Sequence, residues 1–327
     1  LWLFRVMYAC IDLGSNSFHL LIGEWVEGRI EVIERCSEKV QLGENVGATG
    51  SISPEAFARG LECLRHFKAL MDKYPLEQYW ALGTNALRVT NNAADFIAAA
   101  AELGIEVSTI SGVQEAVLVY AGVITGLPRT DINRLVIDIG GGSTEVIIGK
   151  GHQRLLTSSL AIGSVAWRDR FFDIQMTSDA ATLLERMRDG LRAAEAVFAE
   201  TAPAIKRAGW EEVYASSGTS KMLMLICLEN GHGSGVIQRS ALQDLREQFA
   251  RCIAEGQELA GMKEGRRDLL LAGWSVMLAL MNAYNIETIN FSPTALREGM
   301  LDFLAKDKHT MRLVKNSDLP EVSQASD

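Results

Sequence analysis

The stretch Ile137–Gly149, "IDIGGGSTEVIIG", lies without a gap on Ile11–Gly23, "IDLGSNSFHLLIG", earlier in the same chain. Six of the thirteen positions are identical, and most of the others are apolar in both copies. Each copy reads as strand, tight turn, strand, because β-branched and leucine-rich runs flank residues that tolerate unusual backbone angles. One such hairpin near the start and another near the middle imply two similar domains and a cleft where the two polar tips face each other. The expected boundaries are 1–128 and 129–327, with a C-terminal helix at 295–310 able to rejoin the first domain.

Strands and helices alternate after each hairpin, so the fold class is α/β with mixed sheets. "SPEAFARGLECLRHFKALMDKY" is a helix, with Ser53 as its cap and Pro54 in its first turn. Another helix ends on Gly104, and Ser111 with Gln114 has the spacing of a capping box ahead of a third. In the second half, helices are expected from about Ser178 to Arg207, from Ser240 to Ala260 and from Arg267 to Tyr284. Strands are expected at "EVYASSG" and "ETINFS". "GHGSG" reads as a mobile loop and the tail "NSDLPEVSQASD" as frayed. The 327 residues, 48% hydrophobic and 22% charged, suffice for two packed cores.

A net charge of -9 argues against a nucleic-acid duplex as partner, since that needs an extended basic surface. A polyanion would have to be held by local donors. Five scattered cysteines, Cys10, Cys36, Cys63, Cys227 and Cys252, show no C-x-x-C spacing and point to a reducing compartment. The opening "LWLFRV" is too short for a signal-peptide core and reads as an extension before Met7. No run approaches a membrane span, so no membrane partner is expected and the cytoplasm is the expected location.

The chemistry concentrates at the two tips. Gly140, Gly141 and Gly142 strip the side chains from a turn, so that consecutive N–H groups can surround one anion, and Ser143 and Thr144 add hydroxyls. Gly14, Ser15, Asn16 and Ser17 offer the same in the first copy. A single glycine-rich hairpin is most often just a tight turn; its duplication, with Asp12 and Asp138 at the same place, favours a ligand. A carboxylate beside a phosphate nest repels it unless a cation intervenes, so the paired aspartates imply Mg²⁺ (or Mn²⁺), largely water-bound. Glu145 is a further metal or water contact, or an exposed strand residue. Neither a Walker loop nor a G-x-G-x-x-G fingerprint is present. The histidines His19, His66, His152, His232 and His309 lack metal spacing, and no G-x-S-x-G elbow occurs. Taken alone, Glu115 in a first helical turn suits the helix dipole, and Arg88 in "GTNALR" suits a surface.

Six segments, "ACIDLGSNS" (Ala9–Ser17), "GTNALR" (Gly83–Arg88), "ISGVQEA" (Ile110–Ala116), "VIDIGGGSTE" (Val136–Glu145), "SSGTSK" (Ser216–Lys221) and "ALREGML" (Ala295–Leu301), resemble the bacterial exopolyphosphatase / guanosine pentaphosphate phosphatase family. They keep the family's order over nearly the whole chain. The resemblance implies duplicated ribonuclease H-like domains, as in actin, Hsp70 and sugar kinases, and hydrolysis of a terminal phosphoanhydride by Mg²⁺-assisted water. It implies Glu115 as general base, Arg88 as clamp on the terminal phosphate, and Asp138 with Glu145 at the metal. Ser15, Asn16, Ser17, Gly141 to Ser143, Gly218 and Thr219 are the implied phosphate ligands. Expected partners are polyphosphate or guanosine penta- or tetraphosphate, with a homodimer left open. Two departures stand out: Val117 where the family usually has arginine, and Ser292-Pro293-Thr294 where it usually has S-D. The non-catalytic alternative is an alarmone or nucleotide sensor of the same fold. A kinase of this superfamily is disfavoured by the setting of Glu115.

Overall fold

The computed structural model describes residues 6–27, 29–128, 131–151, 153–173, 178–305 and 323–324. His152, His309, the "LWLFR" start and nearly all of the tail lie outside these residues. The chain forms two compact units, residues 1–128 with 294–327, and residues 129–293.

The first unit runs through β1 (Val6–Leu13), β2 (Ser17–Val26), β3 (Arg29–Lys39), α1 (Val46–Thr49), α2 (Pro54–Met71), β4 (Leu76–Gly83), α3 (Asn85–Val89), α4 (Ala93–Glu102), β5 (Val107–Thr109) and α5 (Gly112–Thr125). The second runs through β6 (Asn133–Ile139), β7 (Thr144–Lys150), β8 (Gln153–Leu160), α6 (Ser164–Phe171), α7 (Ala180–Ala199), α8 (Ala202–Ala208), β9 (Glu212–Ser216), α9 (Ser217–Glu229), β10 (Val236–Gln238), α10 (Arg239–Asp244), α11 (Arg246–Glu255), a 3-10 turn (Glu264–Leu269), α12 (Leu270–Tyr284) and β11 (Thr288–Phe291). The chain then returns to the first unit as α13 (Leu296–Ala305).

The duplication holds at the level of sheet topology. In the first unit β3, β2 and β1 form an antiparallel meander, and β4 then β5 add in parallel beyond β1. In the second unit β8, β7 and β6 form the same meander, with β9 then β11 parallel beyond β6 and β10 at the edge. This order, 3-2-1-4-5 in each unit, is that of the duplicated ribonuclease H-like fold. Parallel pairing demands crossover connections, which the helices supply.

Local chemistry sets most boundaries. Ser53 accepts from the Ala56 N–H at 3.1 Å to start α2. Ser111 and Gln114 close a full capping box on α5. α12 is buried nearly all round, which explains its continuously apolar sequence. Gly122 of α5 and Gly299 of α13 each lie against the other helix's backbone, an approach that any Cβ would block. Trp80 stacks on Phe303 behind that crossing, with centroids 5.2 Å apart.

Three long helices expected from sequence are divided. The 178–207 region breaks after Ala199, and α8 starts afresh with Pro203 in its first turn, where a missing N–H costs nothing. The 240–260 region breaks at Leu245 and ends at Gly256, whose left-handed φ of 67° closes the helix. The 267–284 region opens as a 3-10 turn and becomes α-helical only at Leu270. No described helix is long and apolar enough to cross a membrane.

Candidate active site

In both units the hairpin tip has the same internal bond: Gly14 N–H donates to Ser17 O at 3.2 Å, and Gly140 N–H to Ser143 O at 2.9 Å. Both tips are also held from behind by backbone bonds to their carbonyls. Gly140 O accepts from the Ser164 N–H (2.9 Å), and Gly141 O accepts from Val165 (2.9 Å) and Ala166 (3.0 Å). These donors belong to the first turn of α6, which needs acceptors for its N–H groups. In a trans peptide the C=O of one residue and the N–H of the next point in opposite directions. Pinning these two carbonyls therefore turns the N–H groups of Gly141 and Gly142 away from α6, as an anion nest requires. In the first unit the 40–43 segment holds the turn one residue further on: Asn16 O accepts from Val40 and Gln41, and Ser15 O from Gly43.

The approach is so close that a Cβ on Gly163 would overlap the Gly141–Gly142 backbone, and one on Gly43 would lie 2.7 Å from Ser15 Cβ. Neither glycine was singled out in the sequence. The signal was available, since the repeat resumes as apolar-x-apolar-Gly at Val40–Gly43 and Leu160–Gly163.

Ser143 is buried beside this turn. Thr144 is also buried, and its hydroxyl donates to Ile162 O at 2.7 Å, which fastens the strand rather than facing outward. In the first unit Ser15 and Asn16 are buried and Ser17 half-buried, with Asn16 Nδ2 donating to Ser17 Oγ at 3.3 Å.

The aspartates differ in their surroundings. Strand register places Ser216, Asp138, Glu145 and Ser159 in one row across β9, β6, β7 and β8. Directly opposed residues on neighbouring strands present side chains to the same face, about 5 Å apart. Asp138 and Glu145 are thus two buried carboxylates set side by side, with the Ser159 hydroxyl donating to Glu145 Oε1 at 2.8 Å. Like charges so placed disfavour each other, and a cation between them would relieve the cost. Mg²⁺ takes one or two carboxylates and keeps its waters, so this donor set fits it. The corresponding row of the first unit is Leu82, Asp12, His19 and Ser37, with one carboxylate. Among the described residues no cluster of three or more potential metal ligands gathers.

The first unit also joins Arg88 and Glu115, far apart in sequence. Arg88, in the last turn of α3, donates through Nη1 to Glu115 Oε2 at 2.8 Å and to Ile110 O at 2.9 Å. Glu115 lies in the first turn of α5, next to the Ser111–Gln114 capping box that starts the helix, and is buried.

In the second unit the β9–α9 corner is tightly bent. Ser217 has a left-handed φ of 76°, and the guanidinium of Arg266 presses on the face of Gly218 where a side chain would sit. Burial lowers the Arg266 pKa, and the charge of Asp268 opposes that shift. Thr219 is buried behind the corner. Arg266 was not singled out in the sequence, because a surface arginine and one folded onto a glycine look alike there.

A model of the Ppx/GppA phosphatase family matches residues 21–308. The chain belongs to this family. An exopolyphosphatase from Cytophaga hutchinsonii is 27% identical with a TM-score of 0.77, covering 91% of this chain and 97% of its own. The Ppx/GppA enzyme of Aquifex aeolicus is 26% identical with a TM-score of 0.71, covering 91% and 99%. Nothing in the fold of α5 accounts for Val117 in place of arginine; it is buried in the helix's apolar packing.

Proposed function

We propose that this protein is a phosphohydrolase that removes the terminal phosphate from inorganic polyphosphate, with guanosine pentaphosphate as a second substrate. The observation that carries the reading is the glycine turn with its carbonyls pinned to α6, next to the buried Asp138–Glu145 pair. Amide donors favour phosphate oxygens, and the adjoining carboxylates favour a divalent cation that a phosphate brings with it.

In this reading Glu115 takes a proton from water as the water oxygen attacks the terminal phosphorus. The P–O bond to the bridging oxygen breaks, that oxygen leaves with the shortened chain, and inorganic phosphate departs. Arg88 neutralises charge on the transferring group, which loosens its bond to Glu115 and leaves the carboxylate to act as base. Gly141, Gly142 and Ser143 hold phosphate oxygens in the second unit, as Ser15, Asn16 and Ser17 do in the first. Gly218 and Thr219 shape the corner on which Arg266 offers a further cation. Asp138 and Glu145 would hold Mg²⁺, which when bound supplies charge neutralisation to the phosphate oxygens.

The test is phosphate release with Mg²⁺ from polyphosphate and from guanosine pentaphosphate, wild type beside Glu115→Gln. Release by the wild type and its loss in a variant that still binds supports the hydrolase. A wild type that binds guanosine tetraphosphate and releases phosphate from neither substrate overturns it in favour of a sensor.

A further inference from the structure

The second unit contains a buried arginine that the reading above does not use. Arg168 lies in α6, and its side chain is 4% exposed. Its Nε and Nη2 both donate to Asp169 Oδ1, at 3.0 and 2.9 Å, and its Nη1 donates to Asp268 Oδ2 at 2.9 Å. Asp169 is its own neighbour in α6, whereas Asp268 is 100 residues away in the 3-10 turn. The bond to Asp268 is thus a tertiary tie between two elements, each of which touches a turn assigned to phosphate. α6 pins the carbonyls of Gly140 and Gly141 with its first N–H groups. The 3-10 turn carries Arg266, two residues before Asp268, and lays its guanidinium on Gly218.

We infer that the Arg168–Asp268 ion pair is a positioning device for anion binding in this unit, fixing Arg266 and the glycine turn relative to each other. This rests on the proposed phosphate reading of those turns. Two physical effects act together. Geometrically, the planar guanidinium with both aspartates accepting from it sets the distance and angle between α6 and the 3-10 turn more tightly than a point charge could. Electrostatically, Arg168 and Arg266 balance Asp169 and Asp268. Without Arg168 the group is left with one net negative charge beside the place where a polyanion must arrive, and the attraction of Asp268 for Arg266 is no longer shared with a second guanidinium.

A purely structural role would lower stability and activity together. A positioning role separates KM from kcat. The experiment compares wild type, Arg168→Met, Arg168→Lys and Asp268→Asn in steady-state hydrolysis of polyphosphate, and in calorimetric binding of inorganic tripolyphosphate, with thermal melts of each. Arg168→Met is expected to raise KM and the tripolyphosphate Kd about tenfold while kcat changes by less than about twofold. Arg168→Lys, which restores charge without the fork, is expected to recover part of that loss. Should Arg168→Met not fold, Arg168→Lys and Asp268→Asn still decide the matter through the same split. Wild-type KM and Kd in the folded variants overturn the inference and leave the hydrolase reading standing. A parallel fall of kcat, affinity and melting temperature also overturns it. If the wild type binds tripolyphosphate in an Arg168-dependent way yet hydrolyses nothing, the inference stands and the hydrolase reading falls.

Discussion

Arg88 Nη1 donates to Glu115 Oε2 at 2.8 Å, and the two side chains are only 16% and 9% exposed. The pair links the last turn of α3 to the first turn of α5, 27 residues apart, so it exists only because β4 and β5 lie side by side. It places a carboxylate and its counter-charge at one point in the first unit. A phosphate that attracted Arg88 would at the same time release Glu115 for water.

Glu115→Gln is therefore expected to lower kcat about 100-fold or more while substrate still binds, since the amide cannot accept the water's proton. Arg88→Gln is expected to raise KM as well as lower kcat. Phosphate-release kinetics with a parallel binding measurement checks both. Equal activity of Glu115→Gln and wild type would remove the base from the mechanism.

Gly163→Ala places a methyl group inside the Gly141–Gly142 backbone, which cannot move without releasing α6. A destabilisation of about 1–3 kcal/mol is expected in urea unfolding. The loss of phosphate affinity should exceed what that instability explains, because the amides of the turn lose their aim. Gly47→Ala is the control: a Cβ there meets nothing within 4 Å, and no loss of stability or of phosphate affinity is expected.

The Asp138–Glu145 pair makes a metal prediction that does not depend on turnover. If these carboxylates hold Mg²⁺, adding the metal stabilises the wild type by about 2.7 kcal/mol at about 100 times its Kd. Asp138→Asn and Glu145→Gln should show little of that gain, and in metal-free buffer they should be as stable as wild type or more so. Thermal melts with chelator and with Mg²⁺ decide it. Equal Mg²⁺ stabilisation of the variants would place the metal elsewhere.

His66 gives a pH prediction. Its ring bonds Glu38 of β3 through Nδ1 at 3.0 Å and Glu62 of α2 through Nε2 at 3.1 Å. The bond to Glu38, followed by the charge of that residue, raises its pKa above the usual 6.5. A raised folded-state value means that the contribution is fully present below the unfolded pKa and is lost as pH rises through the folded one. The stability difference between wild type and His66→Gln should thus be larger at pH 5.5 than at pH 8.5. Urea midpoints at the two values measure it, and a difference that does not change with pH would contradict the assignment.

The sequence by itself determined the duplicated hairpins, the α/β class and the helix starts at Ser53 and Ser111. These rest on local periodicity, capping and chain self-similarity, which are written in consecutive residues. It also marked Asp138, Glu145 and the glycines of the turn as one group, since a hairpin of known register brings its own two strands together. What it could not supply were the partners reached across long loops: Arg88 for Glu115, Gly163 for Gly141, Arg266 for Gly218, and Arg168 for Asp268. Those contacts depend on which strands neighbour one another and on where a helix begins in space. Helix continuity was misjudged for a related reason, because apolar residues recur on both sides of the breaks between α7 and α8 and between α10 and α11, so periodicity alone does not show where one helix stops and the next begins. Periodicity records which face of each segment is buried, and only tertiary packing decides how those faces meet.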